Sequence, residues 1–144
     1  ETSGFVPWSH FEQTLPFLDA ILIDIKMMDE NDHERVTGKS NVAILENITK
    51  IDQDANPVDL FIRIPLVPGI NDSEENLQAT VAFCKSLKKF RELHLLPYHR
   101  LGVETYRFLN RPYELDDLPS AQLRWVEEKA EWIEKLGVRV KIGG

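Results

Sequence analysis

At 144 residues, with 42% hydrophobic and 28% charged side chains, the chain is long enough to bury a core and too apolar to stay unfolded. A formal charge of −7, acid and base interspersed, argues against a broad nucleic-acid face, and no run approaches the ~18 apolar residues of a membrane helix. The charge and the apolar runs lead us to expect no nucleic-acid or membrane partner, and the single cysteine, Cys84, excludes a disulfide framework and a cysteine-only metal site and fits a reducing cytoplasm.

The opening octet, ETSGFVPW, lacks an initiator methionine and reads as a fragment or a processed product. A short helix over Pro7–Thr14 leads into a first strand, Ala20–Ile25. DENDHERVTG has the layout of a short helix started by Asp29 and stopped by Gly38. SNVAILENITKI follows, with Ser40 as N-cap and Ile44, Ile48 and Ile51 on one face. The second strand, Val58–Val67, is rich in β-branched and aromatic residues and closes on Pro68-Gly69 and Asn71-Asp72 turn signals. Ser73–Phe90 opens on an acidic first turn and places Leu77, Val81, Cys84 and Leu87 on one helical face. Glu92–Tyr98 is the third strand. Ser120–Leu136 is the longest helix, with Leu123, Val126, Ala130, Ile133 and Leu136 as core stripe, Trp125 and Trp132 packed beside it, and Gly137 as stop. Val138–Ile142 is the last strand. Strands alternating with long crossovers predict an α/β fold with a parallel sheet, in one domain spanning 1–144.

Asp24 and Lys26 sit two positions apart, so a strand aims both to one side. A buried ion pair stabilises poorly because desolvation offsets its attraction, so a polar ligand explains the pair more readily than stability does. Arg63 lies alone in the apolar FIRIPLVPG and needs an anionic partner. Arg63 follows Asp24 by 39 positions and His99 follows Arg63 by 36, the length of one strand–helix unit. The three are therefore expected at the same edge, the carboxyl ends of parallel strands, where such sheets bind ligands. His94 and His33 read as structural or solvated, and Cys84 as a small hydrophobe. No phosphate-binding glycine loop, nucleophile elbow or zinc-protease motif occurs. Residue pattern alone stops at a ligand-binding α/β barrel or half-barrel, with a Schiff-base lyase using Lys26, or a non-catalytic docking module, as alternatives.

Taken together, ETSGF, LIDIKMMD, HERVTGKSN, IRIPLVPGINDSEEN and LLPYHRLG resemble the activating enzymes of glycyl radical enzymes, in the radical S-adenosylmethionine superfamily. The resemblance implies the C-terminal half of a partial (βα)6 TIM-like barrel. It implies, for the full-length parent, S-adenosylmethionine chelated to a [4Fe-4S] cluster and a 5′-deoxyadenosyl radical. That radical takes a hydrogen atom from a glycine of a partner such as pyruvate formate-lyase, with flavodoxin or ferredoxin as electron donor. By the same resemblance Glu1, Thr2, Asp24, Lys26, Arg63 and His99 lie at the cofactor. The family's Cys-x-x-x-Cys-x-x-Cys motif is absent, so this segment alone is expected to hold no cluster and to be inactive. The upstream edge of Ala20–Ile25 is expected to be open and to invite self-association.

Overall fold

A computed structural model describes residues 1–110, 112–113 and 115–143. The elements in order are α1 (Trp8–Thr14), a 3-10 turn (Leu15–Phe17), β1 (Ala20–Asp24), α2 (Glu30–Thr37), α3 (Val42–Gln53), β2 (Asp59–Leu66), α4 (Glu74–Ser86), β3 (Phe90–Pro97), α5 (Gly102–Phe108), α6 (Leu123–Lys135) and β4 (Val140–Ile142). The four strands pair in parallel in the order β1-β2-β3-β4. A sheet that grows in one direction, each strand beside its predecessor, is the progression of a βα barrel; a doubly wound sheet reverses. The fold is thus α/β and consistent with part of a TIM-like barrel.

Alternation along the strands sorts the two faces. Ile21 and Ile23, Leu60, Ile62, Ile64 and Leu66, and Leu93 and Leu95 are buried in one core with α3, α4 and α6. Ile44, Ile48 and Ile51 enter it from α3, Leu77, Val81 and Cys84 from α4, and Val126, Ala130 and Ile133 from α6. Each Ile or Leu so buried contributes about 1.5–3 kcal/mol. Asp29 caps α2 by accepting from the Asp32 amide at 2.9 Å, and Ser73 caps α4 by accepting from the Asn76 amide at 3.2 Å.

The expected elements form, with these differences. Asn41, not Ser40, stands at the N-cap of α3. Leu123 is 59% exposed because α6 begins at it rather than at Ser120, leaving it outside the core stripe. Phe90 opens β3 instead of ending α4. The Lys89 amide donates to Asp52 Oδ1, and its ammonium collects the carbonyls of Ile51, Asp54 and Asn56 at 2.6–2.8 Å, so the chain must turn before Phe90. A short helix, α5, stands in the loop after β3 where no element was expected.

The first residues lie along β1. The Thr2 amide donates to the Leu22 carbonyl and the Asp24 amide to the Thr2 carbonyl, a parallel bridge that covers the carboxyl end of the edge expected to be open. Asn47 of α3, itself buried, donates to the carbonyls of Gly4 and Val6 and clamps the segment down. Gly4 adopts φ +74° there, and a Cβ on it would meet Ile23 Cγ2 at 3.0 Å.

Candidate functional site

β1 and β2 run in register with Asp24 opposite Arg63, and both side chains face away from the helical layer. Arg63 donates from Nε (2.8 Å) and an Nη (2.7 Å) to Asp24 Oδ1 and pairs through its other Nη with Glu1. Lys26, just past β1, donates to the second oxygen of Asp24 at 3.3 Å. Four charged groups form one chain, Glu1–Arg63–Asp24–Lys26. Side-chain exposure is 66% at Glu1, 9% at Arg63, 16% at Asp24 and 37% at Lys26, so the network has a buried centre and reaches solvent at both ends. Burial works against the Arg63 charge most strongly, yet its hydrogen bonds to Glu1 and Asp24 outweigh that and raise its pKa. The bridge at Thr2 is what brings Glu1 to Arg63.

His99 is placed differently from the other three. A register shift at Leu60/Phe61 and a strand that starts at Phe90 set His94, not His99, opposite Arg63, and Lys141 of β4 opposite His94. His99 follows the strand, exposed, its Nδ1 accepting from the Leu101 amide at 3.4 Å. His94, read from sequence as structural or solvated, is buried. It packs on Phe61 at 5.6 Å between ring centres, with Nε2 3.6 Å from a Glu92 oxygen and Nδ1 without a hydrogen-bond partner among the described residues. Burial lowers its pKa, Lys141 and Arg63 push the same way, and Glu92 opposes them.

Lys26, at the end of the charge network, lines a cleft of about 770 Å³ at the carboxyl ends of β1 and β2. One wall is the loop after β1, another the end of α2, and a third the tyrosines around α5. Three asparagines that sequence reading did not assign to a site make the first wall rigid. Asn71, fully inside, donates to the carbonyls of Lys26 (3.0 Å) and Pro65 (2.8 Å) and accepts from the Val67 amide (2.8 Å). Asn76 accepts from the Met28 amide, and Asn41 donates to the carbonyls of Met27 and Met28. The signal was present only as an Asn-Asp turn and a cap position, because an amide's long-range partners leave no local pattern. On the third wall Tyr106 meets Tyr113 edge to face at 5.0 Å, and Tyr113 shares a 3.0 Å hydroxyl contact with Tyr98, which raises the Tyr113 pKa.

Cys84 lies in the helical layer, and burial pushes its thiol up to about 12. Among the described residues no three His, Cys, Asp or Glu side chains converge as a metal site, and no helix is long and apolar enough to cross a membrane.

No known family model matches the chain. It is 40% identical over 111 residues to the isethionate sulfite-lyase activating enzyme of Oleidesulfovibrio alaskensis, covering 77% of this chain and 35% of that protein. It is 36% identical over 124 residues to the pyruvate formate-lyase-activating enzyme of Staphylococcus epidermidis (86% and 49%). To the trans-4-hydroxy-L-proline dehydratase activating enzyme of Clostridioides difficile it is 34% identical over 146 residues (100% and 47%). The chain therefore spans only about a third to a half of these relatives. Among solved structures, a domain of pyruvate-formate lyase-activating enzyme from Bacteroides vulgatus matches with TM-score 0.72 at 25% identity, over 94% of this chain and 74% of that one. A radical SAM methyltransferase from Sphaerobacter thermophilus, at 11% identity and TM-score 0.60, shares the fold alone, over 94% of this chain and 37% of that one.

Proposed function

We propose that this chain, whose homologues are the activating enzymes of glycyl radical enzymes, contributes the cofactor-facing part of such an activase. The observation that carries the reading is the line of charge from Glu1 through Arg63 and Asp24 to Lys26, which lines the cleft at the strand ends. S-adenosylmethionine, when bound with its cluster, supplies hydrogen-atom abstraction from a glycine of the partner enzyme.

In this reading the side chains here bind and orient. The Lys26 ammonium spends one donor on Asp24 and offers the rest to the cofactor's carboxylate. Asp24 offers negative charge to its amino group, while Arg63 holds Asp24 in place through two donors to one oxygen. Glu1 and Thr2 close the same end, and His99 joins from the loop after β3. The partner is a glycyl radical enzyme of the pyruvate formate-lyase or dehydratase kind, the electron donor a flavodoxin or ferredoxin, and the compartment the cytoplasm. Residues 1–144 act as one unit.

The cluster does not fit these residues. Three thiolates are needed, and the only thiol is Cys84, buried in the helical layer with its pKa pushed up to about 12. In this proposal the cluster rests on cysteines outside the 144 residues, and the segment alone binds without turnover. Calorimetric titration of S-adenosylmethionine into the full-length protein tests the cofactor assignment. Lys26→Ala and His99→Ala are each expected to weaken binding about tenfold, the loss of one charge-assisted contact. Unchanged affinity in both variants overturns it.

A further inference from the structure

A transverse row of polar residues crosses the face of the sheet turned away from the helices. Asp24 of β1 stands opposite Arg63 of β2, Arg63 opposite His94 of β3, and His94 opposite Lys141 of β4. Leu93 and Leu95 enter the core, so His94 between them points to the other side, where Arg63 lies. Neighbours in such a row are one strand spacing apart, about 4.8 Å, and like charges set opposite each other repel. His94 therefore stands between two cations. Lys141 is exposed on the edge strand, while Arg63 is buried and held by Asp24 and Glu1. Glu92, the carboxylate that faces the imidazole from its own strand, stays 3.6 Å from Nε2, beyond hydrogen-bond reach, and Nδ1 has no partner among the described residues. An apolar side chain would pack on Phe61 as well without the cost of burying that nitrogen. What an imidazole adds at this place is a charge that can be switched on.

We propose that His94 makes the charge network acid-sensitive: uncharged, it leaves Asp24 able to attract a cationic group, and protonated, it adds a third positive charge to the row and drives that group off. Burial, Lys141 and Arg63 all favour the uncharged imidazole and Glu92 opposes them, so His94 charges only as pH falls below the ordinary 6.5. The inference rests on the activase reading for the charge of the ligand, since S-adenosylmethionine carries a sulfonium and an ammonium against one carboxylate. Protonation of His94 and binding of such a cation then weaken each other by the same factor. Asp24 is two strand spacings from His94, about 10 Å. At that distance one added charge changes affinity about two- to fifteenfold for effective dielectrics between ~80 and ~20.

Two measurements test it. In the ¹⁵N-labelled chain, the Nε–H resonance of Arg63, which donates to Asp24, is followed together with the His94 ring signals as pH is lowered from 7.5 to 5. Both are expected to move with one midpoint. Lys141→Gln, an exposed change on the edge strand, is expected to raise that midpoint, and His94→Gln to leave the Arg63 signal still. A His94 that only packs would alter stability without tying Arg63 to its own titration. In the full-length protein, calorimetric titration of S-adenosylmethionine is repeated across the same range. Acidification is expected to weaken binding about two- to fifteenfold more in the unaltered protein than in His94→Gln. An Arg63 signal indifferent to His94, a midpoint that Lys141→Gln does not move, or parallel affinity profiles overturns the inference. A protein that binds cofactor with parallel profiles loses only this inference. One in which Arg63 follows His94 but no cofactor binds supports the acid-sensitive row and overturns the activase reading.

Discussion

Replacing Asp24 by Asn keeps its shape and removes the charge that holds Arg63 and Lys26 together. The guanidinium is 9% exposed, so the change leaves a buried cation with Glu1 as its remaining carboxylate. Breaking a buried pair from one side costs about 3–5 kcal/mol. Glu1 is largely exposed and keeps part of the compensation, so about 2–4 kcal/mol is expected for Asp24→Asn. Lys26 can turn to water and adds little. The assay is urea unfolding at neutral pH, read as a shift in midpoint at constant slope. The informative comparison is Asp24→Asn/Arg63→Met, which removes both charges while keeping volume. Because the cost lies in the orphaned cation and not in the lost attraction, the double variant is expected to be more stable than Asp24→Asn alone. A double variant as unstable as the sum of its single changes would refute this account of the network.

Three further outcomes follow from the same geometry. Asn71→Ala strands two part-buried carbonyls and an amide, so a loss of about 1–3 kcal/mol in urea unfolding is expected, with faster amide exchange at Met27 and Met28. Gly4→Ala combines positive φ with a 3.0 Å approach to Ile23 and is expected to cost about 1–3 kcal/mol by the same assay; a neutral substitution would contradict the clamped N-terminal segment. His94 has a folded pKa below its ordinary 6.5, so the unfolded chain binds the proton more readily. Its contribution is fully present above about pH 6.5 and is lost as pH falls through the folded value. Between pH 5 and 7, stability of the unaltered chain should therefore rise with pH more steeply than that of His94→Gln, and equal slopes would exclude it.

Much of the architecture was legible in the sequence because it is written in local periodicity. Ile44, Ile48 and Ile51 declare a buried helical face, Gly38 and Gly137 declare ends, and the spacing of Asp24 and Lys26 declares that the two side chains turn to one side, where they meet. The pairing of Asp24 with Arg63 was legible as a strand–helix repeat, since β1 and β2 begin at matching depths, Ala20 opposite Asp59. The count set His99 at the carboxyl edge, where it follows β3, but did not give the register, which puts His94 opposite Arg63. Register depends on the bulge at Leu60/Phe61 and on where α4 ends, and these are decided by Lys89 reaching the carboxyl end of α3, a contact more than thirty residues distant in the chain.

What the 144 residues determine by themselves is the alternation of strand and helix, the apolar faces and the candidate charges. These follow from rules spanning a few residues: side-chain period, caps and turns. Only the tertiary structure decided which charges meet. It set Glu1 on Arg63 through the Thr2 bridge, put His94 rather than His99 in the charged row, and gathered Asn41, Asn71 and Asn76 around one loop. Buried polar groups take whatever partner the packing brings, and satisfying them is a condition on the whole fold that no short stretch of sequence contains.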